Sequence, residues 1–368
     1  MSANDLLEQA EKFVAEGRYT QAEEAFAKAL QTPARAIALN RYGVFAESSG
    51  HLEQAKSLFE SVLEIDPANP DPSKAEAYRN LGHIASVRGD LDDAERRYHS
   101  ALEIDRKLND AQGQADDYRS IGRLKLKRGL LDEAKSSVEK AYSIDTRLQS
   151  GREQAEDLAL LANIYDRTGA HEEAEKKLRQ ALSINEKNGW LDAAASNYHS
   201  LGTIHQGLDD LGSAERAYAR ALDIYKRLGR KEGIANCCES LGDVNLLRGD
   251  FPQAKQLFEV ALEADEELGR SDAVALVSGK LAQAYQGARE FDRAEHMYRR
   301  ALKLHERLGR TGALAQDYFN LGGLYMERGD PSGARSMWEA SLALFKRAGA
   351  SERQQLVESS LSGLPASS

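Results

Sequence analysis

The chain has 368 residues, 41% apolar and 29% charged, with 49 Lys+Arg against 59 Asp+Glu and a formal net charge of −10. That is the composition of an ordinary soluble protein, and its acidic balance removes the sequence-independent attraction to phosphate backbones and anionic lipid, which argues against nucleic acid and membrane partners. Length alone suggests two or three globular domains, unless the sequence repeats and one elongated domain uses the whole chain.

At the amino terminus, Met1 to Ala10 carries acids among its leucines and has no basic patch followed by an apolar run, so it does not read as a secretory signal. No stretch approaches the roughly 18 apolar residues of a membrane span. Cys237 and Cys238, the only cysteines, are adjacent, which suits neither a disulfide nor a metal site. A reducing cytoplasm is the expected location, with Cys238 as a buried apolar filler.

From there the chain repeats. An alanine recurs at Ala22, Ala55, Ala94, Ala134, Ala174, Ala214, Ala254, Ala294 and Ala334, at intervals of 33, 39 and then six 40s. Five residues before each stands a turn residue: glycine in seven copies (Gly17, Gly50, Gly89, Gly129, Gly169, Gly249, Gly329), Asp209 and Arg289 in the others. Apolar residues flank that turn at helical spacing, as Tyr78, Leu81 and Ala85 do before it and Leu91, Ala94, Tyr98 and Leu102 after it. Each copy is therefore two helices broken at the turn. Seven residues before the turn sits a small residue (Gly43, Gly82, Gly122, Ala162, Gly202, Gly242, Ala282, Gly322). A mid-helix glycine costs about 0.5–1 kcal/mol against alanine, so close packing of the two helices must offset it, with Phe59, Tyr98, Phe258 or Trp338 filling the adjoining space. The seven prolines avoid helix interiors: Pro33, Pro67, Pro70 and Pro72 fall in connections, Pro252 and Pro331 just after turns, and Pro365 in the tail.

The turn-separated helix pair with Leu-Gly, a fixed alanine, an aromatic four later and Ala-Leu resembles the tetratricopeptide repeat. The resemblance covers 3–348 as nine copies, near 3–33, 34–71, 72–111, 112–151, 152–191, 192–231, 232–271, 272–311 and 312–348, followed by a cap helix over 349–362 and a disordered tail over 363–368. The first two copies stay near the family's unit of about 34 residues. The 40-residue copies resemble the lengthened repeats of Pins/LGN scaffolds, kinesin light chains, Rap regulators and MalT-type sensors. The helical bundle of Rap phosphatases and the nucleotide- and DNA-binding domains of MalT-type regulators are not expected outside the array. The resemblance implies an all-α, right-handed superhelical solenoid of nine antiparallel helix pairs, one continuous domain whose first helices line the concave side.

On those helices the inward positions lie six and three before the small residue and one, four and five after it. Copies three to five place there Arg79, His83, Arg119, Arg123, Leu126, Lys127, Asn163 and Arg167 among Glu76, Asp116, Glu156 and Asp166, a formal +1 in an acidic chain. Copies six to nine place His199, Asn236, Leu246, Leu247, Leu276, Phe319 and Met326 there, with Glu239, Asp243, Glu327, glutamines and small residues. Asn80 and Asn320, in the Asn-Leu-Gly context, are expected by analogy with related scaffolds to bond a peptide backbone. The expected function is a non-catalytic scaffold that holds an extended or helical peptide of a partner protein, its carboxylates meeting Arg79, Arg119, Arg123 and Arg167 and Leu246, Phe319 and Met326 giving apolar anchors.

Two bland readings stand beside this one. Glu76–Arg79 and Asp116–Arg119 have the spacing of helix-internal pairs, worth about 0.2–0.5 kcal/mol each, and Leu126, Leu246 and Phe319 also suit packing between copies. Self-assembly through the terminal repeats and a sensor subunit that binds a small peptide are the alternatives. Catalysis, cofactors and metals are not expected: the eight histidines include no pair at four-residue spacing, and no phosphate-binding glycine loop occurs.

Overall fold

The computed structural model describes residues 2–66 and 69–364, and among these it contains nineteen α-helices. They belong to two compact units, 1–185 and 186–368, with the division inside α10. In the first unit are α1 (Ala3–Ala15), α2 (Tyr19–Ala29), α3 (Arg35–Ser48), α4 (Leu52–Leu63), α5 (Pro72–Arg88), α6 (Leu91–Leu108), α7 (Ala111–Lys127), α8 (Leu131–Leu148), α9 (Gly151–Arg167) and most of α10 (His171–Lys187). The second holds α11 (Leu191–Gly207), α12 (Leu211–Leu228), α13 (Lys231–Arg248), α14 (Phe251–Glu267), α15 (Ser271–Gly287), α16 (Phe291–Arg307), α17 (Thr311–Glu327), α18 (Pro331–Ala348) and α19 (Ser351–Ser362).

Within each unit the odd-numbered helix packs against the even-numbered helix that follows, and the pairs stack in chain order. First helices also touch the first helices of neighbouring pairs, as α5 does α7 and α15 does α17, whereas second helices make no comparable contact among the described residues. The row of first helices is therefore the inner side of each unit.

The turn residues adopt left-handed backbone throughout, from Gly89 at φ 86° to Asp209 at 61° and Arg289 at 59°, so a side chain at these last two positions is accommodated with strain rather than by a different turn. Asp90, Asp210, Asp250 and Asp330 then cap the second helices by accepting the backbone N–H three residues on. Pro72 departs from its expected place in a connection: it starts α5, where a missing N–H is harmless. Pro67 and Pro365 lie outside the described residues.

The recurring alanines, from Ala22 to Ala334, are fully buried. Where the small residue of the first helix is glycine, it lies under the side chain four residues past the alanine. A Cβ on Gly82 would come within 2.7 Å of the Tyr98 ring, on Gly202 within 2.5 Å of Tyr218 and on Gly242 within 2.5 Å of Phe258. The ring rests directly on the glycine backbone, so the helix-weakening glycine is held by a large buried side chain. At the carboxyl end of the second unit, α19 lays Val357 on a cluster containing Trp338 and Phe345, and Leu364 joins it at 8% exposure. Leu364, in the segment expected as a disordered tail, is thus placed against the core, while Gly363 is exposed; residues 365–368 lie outside the described set.

Candidate peptide-binding faces

The first unit uses its two most central arginines internally. Arg79, on α5, donates from Nη1 to Asp105 Oδ2 (2.6 Å) at the end of α6 and to Asp117 Oδ1 (2.9 Å) on α7. One repeat later Arg119 donates to Asp145 Oδ2 (2.5 Å), Asp157 Oδ1 (2.7 Å) and Asp116 Oδ1 (2.6 Å), and its side chain is 6% exposed. Each guanidinium faces two buried carboxyls. Burial, with the neighbouring carboxyl adding to it, pushes Asp117 up to about 8 and Asp157 up to about 7, against the lowering effect of the guanidinium each one faces. Arg79 and Arg119 are therefore junction residues that tie one repeat to the next. They are not placed to meet a peptide carboxylate, which corrects their sequence reading; nor is self-pairing with Glu76 the reason, since Glu76 instead accepts from Asn40 Nδ2 (3.1 Å).

The remaining inner-face residues of this unit are more open. His83 is 61% exposed and bonded through Nδ1 to Glu47 (2.7 Å), a contact that raises its pKa. Arg123, 53% exposed, pairs with Glu156. Lys127 donates to the Ser86 carbonyl (2.5 Å) and Arg167 to that of Leu126 (2.9 Å), so both retain charge without a carboxylate partner among the described residues. Asn163 is exposed, whereas Asn80 is half-buried with its Nδ2 sealed from solvent and unpartnered. Leu126 packs beside Val138 and Leu161.

In the second unit His199 lies 5.1 Å from the Tyr218 ring and 3.1 Å from Ser240 Oγ, and burial lowers its pKa, so it is neutral at pH 7. Asn236 accepts from Arg270 (3.1 Å). Leu246 and Met326 are partly buried against core clusters, while Leu247 is 63% exposed. Lys280, which stands where other copies have Asn80, Ser240 or Asn320, bridges Glu239 (2.7 Å) and Asp243 (2.6 Å). Phe319 tilts against Trp338 at 6.2 Å, and the Trp338 indole donates to the Phe319 carbonyl (3.0 Å). Asn320 accepts from Gln316 (2.9 Å). Phe319 and Asn320 open onto a cavity of about 370 Å³ between α15, α16 and α17, with Gln283, Gln286, Tyr298 and Glu327 among its other walls.

A larger depression of about 530 Å³ opens among α6, α7 and α8, but Lys125 at its centre already pairs with Glu95 and Glu133, and Arg106 with the Tyr118 hydroxyl. Among the described residues no three His, Cys, Asp or Glu side chains converge on a metal position, and no helix is long and apolar enough to cross a membrane.

Stacked helix pairs with their first helices in a row define a helical repeat protein. The tetratricopeptide repeat profile matches residues 34–107, 73–147, 117–187, 192–267 and 271–351, and the chain belongs to the tetratricopeptide repeat family. Solved structures with the same fold include apo RapI (12% identity, 95% of this chain and 98% of that one, TM-score 0.67). The apo quorum sensor NprR from B. thuringiensis is similar over 93% of this chain and 97% of that one (14% identity, TM-score 0.65). BtubC from P. vanneervenii is similar over 60% and 91% (22% identity, TM-score 0.54). A search of curated proteins returns no match.

Proposed function

We infer that this protein is a non-catalytic scaffold that holds a peptide segment of a partner protein on the inner faces of its repeats. The observation that carries this reading is the cavity walled by Phe319, Asn320, Gln283 and Gln286: a partly exposed aromatic anchor ringed by side-chain amides, on the row of first helices. Such a combination desolvates an apolar side chain while satisfying a peptide backbone. In the first unit His83, Arg123, Lys127, Asn163 and Arg167 supply the polar contacts, and Lys127 and Arg167 favour acidic residues in the segment bound there. A Rap protein of the same fold has been solved in complex with Competence and Sporulation Factor, which favours a ligand-holding role for the array over self-assembly. Cytoplasmic residence accords with the buried free cysteines.

The reading is tested by selecting binders from a randomised peptide library with the intact protein. Phe319→Ala and the double variant Arg123→Glu/Lys127→Glu are then compared with Lys140→Ala on the outer side. Inner-face variants should weaken their selected peptides about tenfold or more. An empty selection, or peptides sensitive only to the outer variant, overturns it.

A further inference from the structure

We propose that the cavity between α15, α16 and α17 receives a basic side chain, arginine or lysine, of the bound peptide, with Glu327 as its counter-charge; this rests on the peptide-binding reading above. The argument begins with a missing side chain. At the position after the small residue other copies carry Val44, His83, Arg123, Asn163, Thr203, Asp243 or Gln283, whereas α17 carries Gly323. A Cβ built there meets nothing within 4 Å. Phe319, Gly323 and Glu327 are four residues apart in turn, so they share one face of α17, and the glycine leaves the space between ring and carboxylate open.

Charge then selects the occupant. Of the other inner-face acids, Asp116, Glu156, Glu239 and Asp243 pair with arginine or lysine, Glu47 and Asp166 contact His83 and His171, and the half-buried Glu76 accepts from Asn40. Glu327 is exposed and has no cationic partner among the described residues. Its single polar contact is the Gln286 side-chain amide (2.6 Å), and Gln286 is oriented in turn by accepting from the Tyr298 hydroxyl (2.9 Å). This chain of hydrogen bonds fixes the carboxylate at the cavity edge and leaves its other lone pairs for a ligand. Glu327 is also the last residue of α17, where the terminal carbonyls add negative potential. Burial, followed by the charges of Asp317 and Glu327, keeps the Tyr298 hydroxyl protonated as that donor.

A guanidinium or ammonium entering here meets the carboxylate and lies near the face of Phe319. Its aliphatic stem covers the ring, and the Asn320 and Gln283 amides remain for the peptide backbone. An acidic side chain would face like charge, and an apolar one would desolvate Glu327 without pairing it.

The test uses peptides selected on the intact protein from a randomised library, with affinities measured by fluorescence anisotropy against wild type, Glu327→Gln, Glu327→Lys and Gly323→Gln. The proposal expects selected peptides dependent on Phe319 to require one arginine or lysine, whose exchange for glutamine weakens binding about tenfold. Glu327→Gln should abolish that dependence, Glu327→Lys should reverse it toward glutamate, and Gly323→Gln should block binding while circular dichroism shows the fold intact. Selected peptides that need Phe319 but have no basic requirement, or that bind Glu327→Lys as well as wild type, overturn the proposal and leave the scaffold reading standing. An empty selection overturns both.

Discussion

Two adjacent glycines give a sharp test of how the helix pairs are held. Gly322 and Gly323 sit side by side in α17, and changing either to alanine brings the same gain in helix propensity, about 0.5–1 kcal/mol. Their surroundings differ. A Cβ on Gly322 would stand 2.4 Å from Trp338 Cδ1 and Nε1, and Trp338 is 7% exposed and tied to the Phe319 carbonyl; a Cβ on Gly323 meets no atom within 4 Å. The propensity gain cancels in the comparison, leaving the overpacking penalty of roughly 1–3 kcal/mol as the difference between the variants. Gly323→Ala should be modestly more stable than wild type in urea denaturation followed by circular dichroism, and Gly322→Ala less stable, with the denaturant slope unchanged. If the two variants agree within about 0.5 kcal/mol, the ring does not rest on the glycine and the packing argument fails.

Other consequences follow from the junctions and the ends. Arg119→Ala leaves Asp145 and Asp157 buried without their cation and should cost roughly 3–5 kcal/mol, whereas Arg123→Ala at the exposed rim should cost under about 1 kcal/mol; equal effects in denaturant melts would refute the division of labour. Asp117 and Asp157 have pKa values raised by burial, so the folded first unit binds more protons than the unfolded chain. The contribution of these two groups to its stability should therefore be fully present in acid, below the unfolded value of 3.8, and be lost as pH rises toward about 8. The double variant Asp117→Asn/Asp157→Asn should flatten that slope in thermal melts, and an unchanged slope would count against shared protons at the junctions. Truncation after Gly349 removes Val357 and Leu364 from the Trp338–Phe345 cluster. The truncated chain should bind more hydrophobic dye and melt earlier, and a melt identical to the full chain would contradict the capping role of α19.

The repeat was legible because its signal is local and periodic. The alanine every 40 residues, the glycine seven before the turn and the aromatic beyond it each report a contact within one helix pair, and Gly242 beneath Phe258 is such a contact. The arginines misled for the opposite reason. Helical spacing searches three and four residues away and finds the Asp116–Arg119 pair, but the partners of Arg79 lie 26 and 38 residues on and the two buried partners of Arg119 recur at the same distances. A usable signal was present: Asp105 and Asp145, like Asp117 and Asp157, stand 40 apart in register with the arginines. Lys280 was passed over because serine and asparagine hold its place in neighbouring copies, and only the fold brings Glu239 and Asp243 to it. Glu327 was visible as an inner-face acid, but that it stands exposed without a cation among the described residues, while Gly323 opens the space beside it, depends on tertiary placement.

Methyl- and amide-resolved NMR of the full chain titrated with a selected peptide addresses the working surface most directly. Perturbations confined to the first helices, with Phe319, Asn320 and Glu327 of α17 or Arg123 and Lys127 of α7 among the largest, are what the proposed binding faces require. Perturbations centred on the second helices, for instance around His99 of α6 and Lys140 of α8, would place the ligand on the opposite side and contradict them.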